Sequence, residues 1–459
     1  MRLYDLIQNN KKLTFIDPFT DRSYGVADFH HSLVIDDRQA LVFIYADNLI
    51  GSIEVFLNFL GSRFTVSLLS PQLSPVYKQE LEEVYQPYYI YDPSRTEIPG
   101  FDIHEASSRI RLFQHQLKPD YPIHPDIKLL LSTSGTTGSP KFVKLSEENL
   151  IHNAEAILEF LPIREDDITP LNVPVIFVYG LSIFTTNALK AGTIICTNRD
   201  VLQKEFWDDF VKYQFSSLGG VPYVYEMLQR IDFFKKEYPF LRYMTQTGGI
   251  LNQTLAKVIE EYVAPRGQQF FVMYGQTEAA GRMAYLSPAD LKTKNTSIGR
   301  PIRNGSFQID PSTRELLYSG PNVFGGYATK SADLNTFQPG DVLYTGDIAE
   351  KDEEGYYYII GRIKRIVKLL GTRFNLDEIE LIIKNAFNGE TFACIGVEDK
   401  HLLVIHLNQD LKDEEIKQFL KTKLNLHPSI IKIKQVSKIP LTPNGKVDYT
   451  SARSLYQQV

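Results

Sequence analysis

Short apolar segments alternate with helical patterns over the larger part of this sequence. Ala40–Tyr45, Phe64–Leu69 and Gln269–Tyr274 have the length and composition of buried strands, while Ser146–Leu161 reads as a helix capped at Ser146. Helices between successive strands supply the long crossover connections that parallel strands require. The sequence therefore predicts an α/β architecture with largely parallel sheets.

The character of the sequence changes twice toward the carboxyl terminus. Between Glu315 and Ile360, short apolar segments separated by glycine turns predict a small antiparallel sheet. After Gly361, mixed helical and strand-like segments predict a separate unit. We therefore expect a large N-terminal domain, residues 1–362, of parallel-rich sheets with helices plus the small antiparallel sheet. A small, mobile α+β C-terminal domain, residues 363–459, should follow it.

Composition excludes several classes of function. The net charge of -6 leaves no basic surplus for nucleic acid or anionic lipid, so neither is an expected partner. Cys196 and Cys394 lie in apolar segments, which predicts buried free thiols in a reducing compartment. The histidines form no zinc-binding pattern, and no signal peptide is evident. The longest apolar region, Ala40–Leu69, is interrupted by polar residues, so we expect a strand, an amphipathic helix and a strand there and not a membrane span. These features together predict a cytoplasmic protein.

A loop of hydroxyl and glycine residues is the first candidate site. Every residue from Ser132 to Ser139 is Ser, Thr or Gly, and Pro140–Lys141 closes the loop between two apolar segments. Such a loop can present backbone N–H groups, hydroxyls and one ammonium to a polyphosphate. It is not the loop of P-loop NTPases, because no Ser or Thr follows Lys141. A solvated linker has the same composition, so the loop alone does not distinguish a phosphate-binding site from a surface linker.

Four further segments contain candidate site residues, but none of them identifies a function when taken alone. Tyr274–Glu278 places a carboxylate after a strand, where it could bind Mg²⁺. Asp347, at the end of Tyr344–Asp347, could accept hydrogen bonds from ribose hydroxyls. Gly361–Gly371 is rich in cations, and Pro440–Lys446 is a rigid loop that could hold one ammonium in place. Each could also be an ordinary turn or a solvated surface.

Taken in order, these segments resemble the adenylate-forming superfamily of acyl-CoA synthetases, peptide-synthetase adenylation domains and luciferases. The resemblance runs from about Ala40 to Tyr449 and rests on Ser134–Lys141, Tyr274–Glu278, Tyr344–Asp347, Gly361–Gly371 with Glu378–Glu380, and Pro443–Lys446. It implies ATP-dependent activation of a carboxylic acid to an acyl-adenylate with release of pyrophosphate. Transfer to a thiol, of CoA or of phosphopantetheine on an acyl or peptidyl carrier protein, would follow.

The resemblance also implies residue roles, with ATP and Mg²⁺ as the ligands. The residues implied for binding ATP are Thr133, Ser134, Gly135, Thr136, Thr137, Gly138, Lys141, Gly248, Gly249, Tyr274, Asp347 and Arg362. Thr277 would contact the α-phosphate, Glu278 the metal, and Lys446 the reacting carboxylate and α-phosphate. Lys364 would be the hinge of the small domain, and the Gly371 segment would replace Lys446 during thioester formation.

The substrate is less clear from the sequence. Phe177 stands where acyl- and aryl-CoA synthetases usually carry His, and Pro174–Ser182 contains no Asp or Glu. Because a buried ammonium without a counter-charge is costly, an acyl or aryl acid is favoured over an α-amino acid. Phe177, Val178 and Tyr223 are the candidate pocket residues.

The sequence also leaves open which thiol accepts the acyl group and whether the protein belongs to another functional class. Gly371–Glu380 resembles the form found in carrier-protein-loading members, so a carrier protein is favoured modestly, with CoA close behind. An amino-acid-activating enzyme, a luciferase-type oxidoreductase and a non-catalytic module are the alternatives. The last is disfavoured because Glu278 and Lys446 are both present.

Overall fold

Mixed sheets with helices packed on them form most of the structure, which is a computed structural model. It describes residues 2–29, 33, 35–36, 38–107, 109–132, 141–190, 192–369, 372–387, 391–397, 400–424, 426–442 and 446–455. Several predicted site residues therefore lie outside the described residues and stay predictions: Thr133, Ser134, Gly135, Thr136, Thr137, Gly138 and Gly371.

The largest sheet has eight strands and a parallel centre. In spatial order its strands are Tyr327–Ala328, Phe142–Leu145, Leu129–Ser132, Thr65–Leu69, Leu41–Tyr45, Tyr89–Tyr91, Arg111–His115 and Phe101–Ala106. The third to sixth of these run parallel, and the strands toward both edges pair antiparallel. Leu41–Tyr45 and Thr65–Leu69 are buried along their whole length, as expected for central strands covered on both faces.

A five-stranded sheet positions the candidate site. Its strands are Ser217–Gly220, Tyr243–Gln246, Gln269–Tyr274, Ala284–Leu286 and Arg300–Pro301. The first three are parallel, so the loops that follow them leave the sheet at the same edge. This shared edge brings the glycines after Gln246 close to the turn after Tyr274.

The remaining strands form smaller sheets. One contains Ile168–Pro170, Thr193–Ile195, Thr14–Asp17 and Arg22–Gly25, and the predicted small antiparallel sheet contains Ser306–Ile309, Glu315–Ser319, Leu343–Lys351 and Tyr357–Arg362. Toward the carboxyl terminus lie a hairpin, Ile366–Leu369 with Thr372–Asn375, and a sheet of Phe392–Val397, His401–His406 and Ile431–Gln435. The predicted α/β class is confirmed, whereas the domain division at residue 362 stays a prediction.

Helices connect the strands and cover the sheets. They span Leu3–Gln8, Ile50–Leu60, Pro75–Tyr85, Glu147–Phe160, Val178–Lys190, Lys204–Lys212, Pro222–Arg230, Gln253–Val263, Leu291–Lys294, Leu376–Ala386, Asp413–Leu424 and Tyr449–Ser454. Ser146 caps its helix as predicted, since its hydroxyl accepts a hydrogen bond from the Asn149 N–H at 3.0 Å.

One helix differs from its predicted character. The segment within Ala40–Leu69 was expected to be amphipathic, yet helix Ile50–Leu60 is buried on nearly every face, including Ser52 and Glu54. Glu54 is neutralised there by Arg109, whose Nη2 lies 3.0 Å from its Oε2. A buried helix can therefore carry polar residues when each has a partner inside the fold.

The two cysteines are free and buried, as predicted. Burial raises the pKa of both thiols, which keeps them protonated. Among the described residues, no helix is long and apolar enough to cross a membrane.

Candidate active site

The end of strand Gln269–Tyr274 leads into a tight turn that carries the predicted carboxylate. Gly275 packs directly against the backbone of Gly281, so no side chain fits at this position. The short helix Thr277–Ala279 follows, with Thr277 and Glu278 half-buried at the edge of the sheet. The chain thus presents a hydroxyl and a carboxylate side by side where the parallel strands end.

Asp347 is the centre of a buried hydrogen-bonded cluster. Its Oδ2 accepts from the Tyr274 hydroxyl at 2.5 Å and from Gln276 Nε2 at 3.1 Å. Its Oδ1 lies 3.0 Å from Nε of Arg362, the cross-strand neighbour of Asp347, and the Asp347 side chain is only 3% exposed. A carboxylate has about four acceptor positions, so hydroxyl donors from a ligand can still be accommodated.

The charges and the burial of this cluster shift the pKa values of Tyr274 and Arg362. Burial, followed by the negative charge of Asp347, raises the pKa of Tyr274 well above its ordinary value. Attraction to Asp347 also raises the pKa of Arg362, against the opposing effect of burial. Tyr274 is therefore a neutral donor to Asp347 at any physiological pH, and Arg362 keeps its charge.

Lys446 lies against the glycine turn that follows strand Tyr243–Gln246. A Cβ placed on Gly248 would be 3.7 Å from Cε of Lys446 and 3.2 Å from a methyl group of Val221. Burial lowers the pKa of Lys446, the positive charge of Arg362 lowers it further, and Asp347 opposes both. The structure therefore brings Lys446 together with Gly248, Arg362 and Asp347.

The loop that carries Lys446 is fixed at its base. The carbonyl of Lys446 accepts from the Thr442 N–H at 2.7 Å, and Leu441 pairs with Val447. Farther along the same contact region, Lys384 Nζ lies 2.9 Å from Oε1 of Glu226 on helix Pro222–Arg230. The Lys384–Glu226 ion pair, like the contact of Lys446 with Gly248, joins segments on the two sides of the predicted domain boundary.

Lys141, Tyr327 and Glu278 form a second group. The Tyr327 hydroxyl donates to Oε1 of Glu278 at 2.9 Å, and Lys141 Nζ lies 3.1 Å from the centroid of the Tyr327 ring. Oε1 of Glu278 is thus held in place by a neutral donor. An oxygen ligand that is fixed in this way, next to an ammonium that can face phosphates, fits a Mg²⁺–nucleotide site.

Phe142, which directly follows Lys141, is completely buried. Its ring lies 5.0 Å from that of Tyr85 and 6.3 Å from that of Phe43. The Phe142 side chain therefore packs in the core against these two aromatic rings and does not face the site.

The remaining predicted residues lie at various distances from these groups. Gly249 follows Gly248, and a Cβ on it would lie 3.2 Å from Pro222. Lys364 is in the short helix Ile363–Arg365, directly after Arg362. Val178 packs on Gly281, where an added Cβ would lie 2.9 Å from Cγ2 of Val178.

A small cavity whose wall combines polar and apolar side chains lies behind the glycine turn. Its volume is about 20 Å³, room for one or two water-sized groups, and its polar wall includes Asn172, Tyr179, Ser182, Ser217, Thr245 and Arg282. The predicted pocket residues Phe177, Val178 and Tyr223 are not among the residues that line it, and their role stays a prediction.

Sequence reasoning missed several residues of this region. Gln276 was not predicted as a site residue, yet its Nε2 donates to Asp347. The same Nε2 also donates to the Thr345 carbonyl at 2.8 Å. Arg365 was grouped with solvated cations, yet it forms ion pairs with Asp377 and Glu380 at 2.5 Å. Arg282 is completely buried. The one hint was an arginine between small and apolar residues, a position where a solvated cation is unusual.

Comparison with known proteins gives these features a family. The family model "AMP-binding enzyme" matches residues 39–328, more than half of the chain. A probable CoA ligase of Humulus lupulus is 28% identical over 344 residues, which are 70% of this chain and 65% of that protein. The oxalate–CoA ligase of Arabidopsis thaliana is 27% identical over 347 residues, 71% of this chain and 66% of that protein. The chain thus spans just under two thirds of the length of these relatives.

A solved structure shares the fold. O-Succinylbenzoate coenzyme A synthetase from Bacillus subtilis, in complex with ATP and magnesium ion, superposes with a TM-score of 0.73 at 19% identity. The superposition covers 96% of this chain and 98% of that one. The predicted superfamily is confirmed: the chain belongs to the AMP-binding enzyme family of adenylate-forming proteins.

Proposed function

We propose that this protein activates a carboxylic acid with ATP and transfers the acyl group to a thiol. In the first step a carboxylate oxygen attacks the α-phosphorus of ATP. The bond between the α-phosphorus and the oxygen that links it to the β-phosphate breaks. The products are an acyl-adenylate and pyrophosphate, so two anions must approach one another. The observation that carries the proposal is the position of Lys446, whose Cε lies beside Gly248 and whose charge interacts with Asp347 and Arg362.

Each group has a role in this reaction. The Lys446 ammonium offsets the negative charge that builds up between the carboxylate and the α-phosphate. Asp347 accepts the ribose hydroxyls, and Arg362 holds Asp347 in place through their ion pair. Glu278 would hold Mg²⁺, which neutralises phosphate charge when bound. Thr277, beside Glu278, contacts the α-phosphate, and Lys141 contacts the outer phosphates.

The contacts across residue 362 support a two-domain arrangement poised for this first step. Lys446 and Lys384 lie on the carboxyl-terminal side of the boundary and meet Gly248 and Glu226 on the other side. A hinge at Lys364 would let the small domain withdraw Lys446 and present the Gly371 segment for thioester formation. One small domain could thus serve two successive reactions.

CoA is the proposed acceptor. The named activities of the similar proteins, oxalate–CoA ligase and O-succinylbenzoate coenzyme A synthetase, support CoA as the thiol and small acids as substrates. A phosphopantetheinyl carrier protein is the second candidate, favoured by the Gly371–Glu380 pattern. Incubation with ATP, an active acid and either thiol, followed by mass detection of the thioester, separates the two.

Exchange of labelled pyrophosphate into ATP, across a panel of carboxylic acids, tests the first step. Exchange should require the acid, and Lys446→Ala should reduce it by at least about 100-fold with ATP binding retained. Lys438→Ala, an exposed lysine of the same terminal segment, is the matched control and should behave like the wild type. Absence of exchange with every acid would contradict the proposed function, and normal exchange by Lys446→Ala would contradict the role of Lys446.

A further inference from the structure

Arg282 is the largest fully buried side chain among the described residues, with 1% of its surface exposed. The turn that delivers it is fixed, because the Arg282 carbonyl accepts from Nδ2 of Asn153 at 2.9 Å and of Asn322 at 2.8 Å. Gly281, with φ of +108°, allows the chain to turn inward immediately before it. The arginine is therefore held inside the protein by its own backbone.

The guanidinium group has hydroxyl partners but no counter-charge. Nη1 donates to Oγ1 of Thr247 and Nη2 to Oγ of Ser182, both at 3.1 Å. Within the described part of the chain, Nε has no hydrogen-bond partner, and the nearest charged or aromatic group is the Tyr179 ring, 5.3 Å from Cζ, with no carboxylate beside the guanidinium. Burial lowers the pKa of Arg282 to about 10, so it is still charged at neutral pH. A buried cation of this kind costs several kcal/mol unless an anion joins it.

Arg282 faces the small cavity behind the glycine turn. The described residues that line this cavity include hydroxyl and amide groups but neither Asp nor Glu. Asn172 also lines the cavity, and its Nδ2 donates to the Gly219 carbonyl at 2.6 Å. Its Oδ1 has no partner among the described residues, but as an acceptor it calls for a donor and not for an anion. The cavity therefore offers an unpartnered arginine N–H and one uncompensated positive charge, in a space of about 20 Å³.

The cavity also adjoins the reacting centre. Thr247, which accepts from Arg282, directly precedes Gly248, and Gly248 adjoins Cε of Lys446. Thr247 and Gly248, two neighbouring residues, thus connect Arg282 to the reacting centre. A substrate that reaches both cations would have its reacting end at Lys446 and its far end at Arg282.

We propose that the preferred substrate is a short dicarboxylic acid, whose second, unreacted carboxylate pairs with Arg282 inside this cavity. The inference rests on the proposed function and narrows its substrate class. A carboxylate accepts from a guanidinium in a planar, charge-assisted geometry and supplies the missing negative charge. The same cation repels an α-ammonium group, which adds a structural reason against amino acids.

The test compares matched acids with the wild-type enzyme. Malonate with propionate, succinate with butyrate, and succinate with its monomethyl ester differ in charge at one end but little in length. Pyrophosphate exchange should give a kcat/KM at least about 100-fold higher for the preferred dicarboxylate, because a site built for a polar group rejects analogues that lack it. Equal or lower values for the dicarboxylates would overturn the inference while leaving the proposed function intact.

Variants then assign the preference to Arg282. Arg282→Met should reduce the dicarboxylate preference to near unity, mainly by raising KM for the diacid, and Arg282→Lys should restore part of it. Arg266→Met, the same change at an arginine outside the cavity, should leave the ratio unchanged. If Arg282→Met slows every acid by one common factor, Arg282 acts on the reacting end or on folding, and the inference is wrong. If that variant does not fold, the wild-type ratios and Arg282→Lys decide.

Discussion

Substituting Asp347 by Asn should weaken ATP binding strongly, because a single carboxylate organises the ribose end of the proposed site. The carboxylate accepts from Tyr274 and Gln276 at one oxygen and pairs with Arg362 at the other. An amide has only one acceptor oxygen. Whichever way the amide is turned, its NH₂ group faces a donor that the carboxylate had satisfied, and the charge of Arg362 loses its partner.

The magnitude follows from the hydrogen bonds that are lost. A hydrogen bond to a charged acceptor contributes about 1.5–3 kcal/mol, and the proposed ribose contact depends on the same charge. Since about 1.4 kcal/mol corresponds to a tenfold change in an equilibrium constant, the Kd for ATP should rise about 10- to 150-fold. The melting temperature should also fall, because Asp347 is buried with three donors around it.

Isothermal titration calorimetry with ATP, in the presence of Mg²⁺, measures the first effect and differential scanning fluorimetry the second. Asp341→Asn is the matched control, because Asp341 is exposed and precedes the same strand. We expect its Kd and melting temperature to equal those of the wild type. An Asp347→Asn protein with a Kd within twofold of the wild type would refute the reasoning that this carboxylate is the centre of the site.

Two further predictions concern Lys446 and the glycine turn. Arg362→Gln removes a positive charge that lowers the pKa of Lys446, so that pKa should rise. If the protonated lysine is the active form, the high-pH decline of kcat/KM for pyrophosphate exchange should then move to higher pH, and an unchanged decline would contradict this. Gly248→Ala should raise the KM for ATP, because a Cβ would enter the space beside Lys446 at φ of +88°. Gly267→Ala is its control: φ is +65° and no atom lies within 4 Å, so both variants should lose about 1–2 kcal/mol of stability and only Gly248→Ala should change the KM.

Local sequence patterns predicted most of the regular structure correctly. Strand Gln269–Tyr274 has the predicted bounds, and the helix predicted over Ser146–Leu161 spans Glu147–Phe160. Such segments are set by periodicity and capping among neighbouring residues, which a single sequence displays. The predicted character of helix Ile50–Leu60 was wrong, because its burial on all sides depends on elements far away in the sequence.

By itself the sequence determined the superfamily and the class of chemistry, since the ordered motifs carry the groups that nucleotide binding requires. Tertiary structure alone decided how those groups are paired. Asp347 is held by Tyr274, Gln276 and Arg362, which come from separate strands and turns. It also decided that Arg282 is buried without a counter-charge beside a cavity. Burial and charge pairing depend on packing between distant segments, and no local pattern in the chain records them.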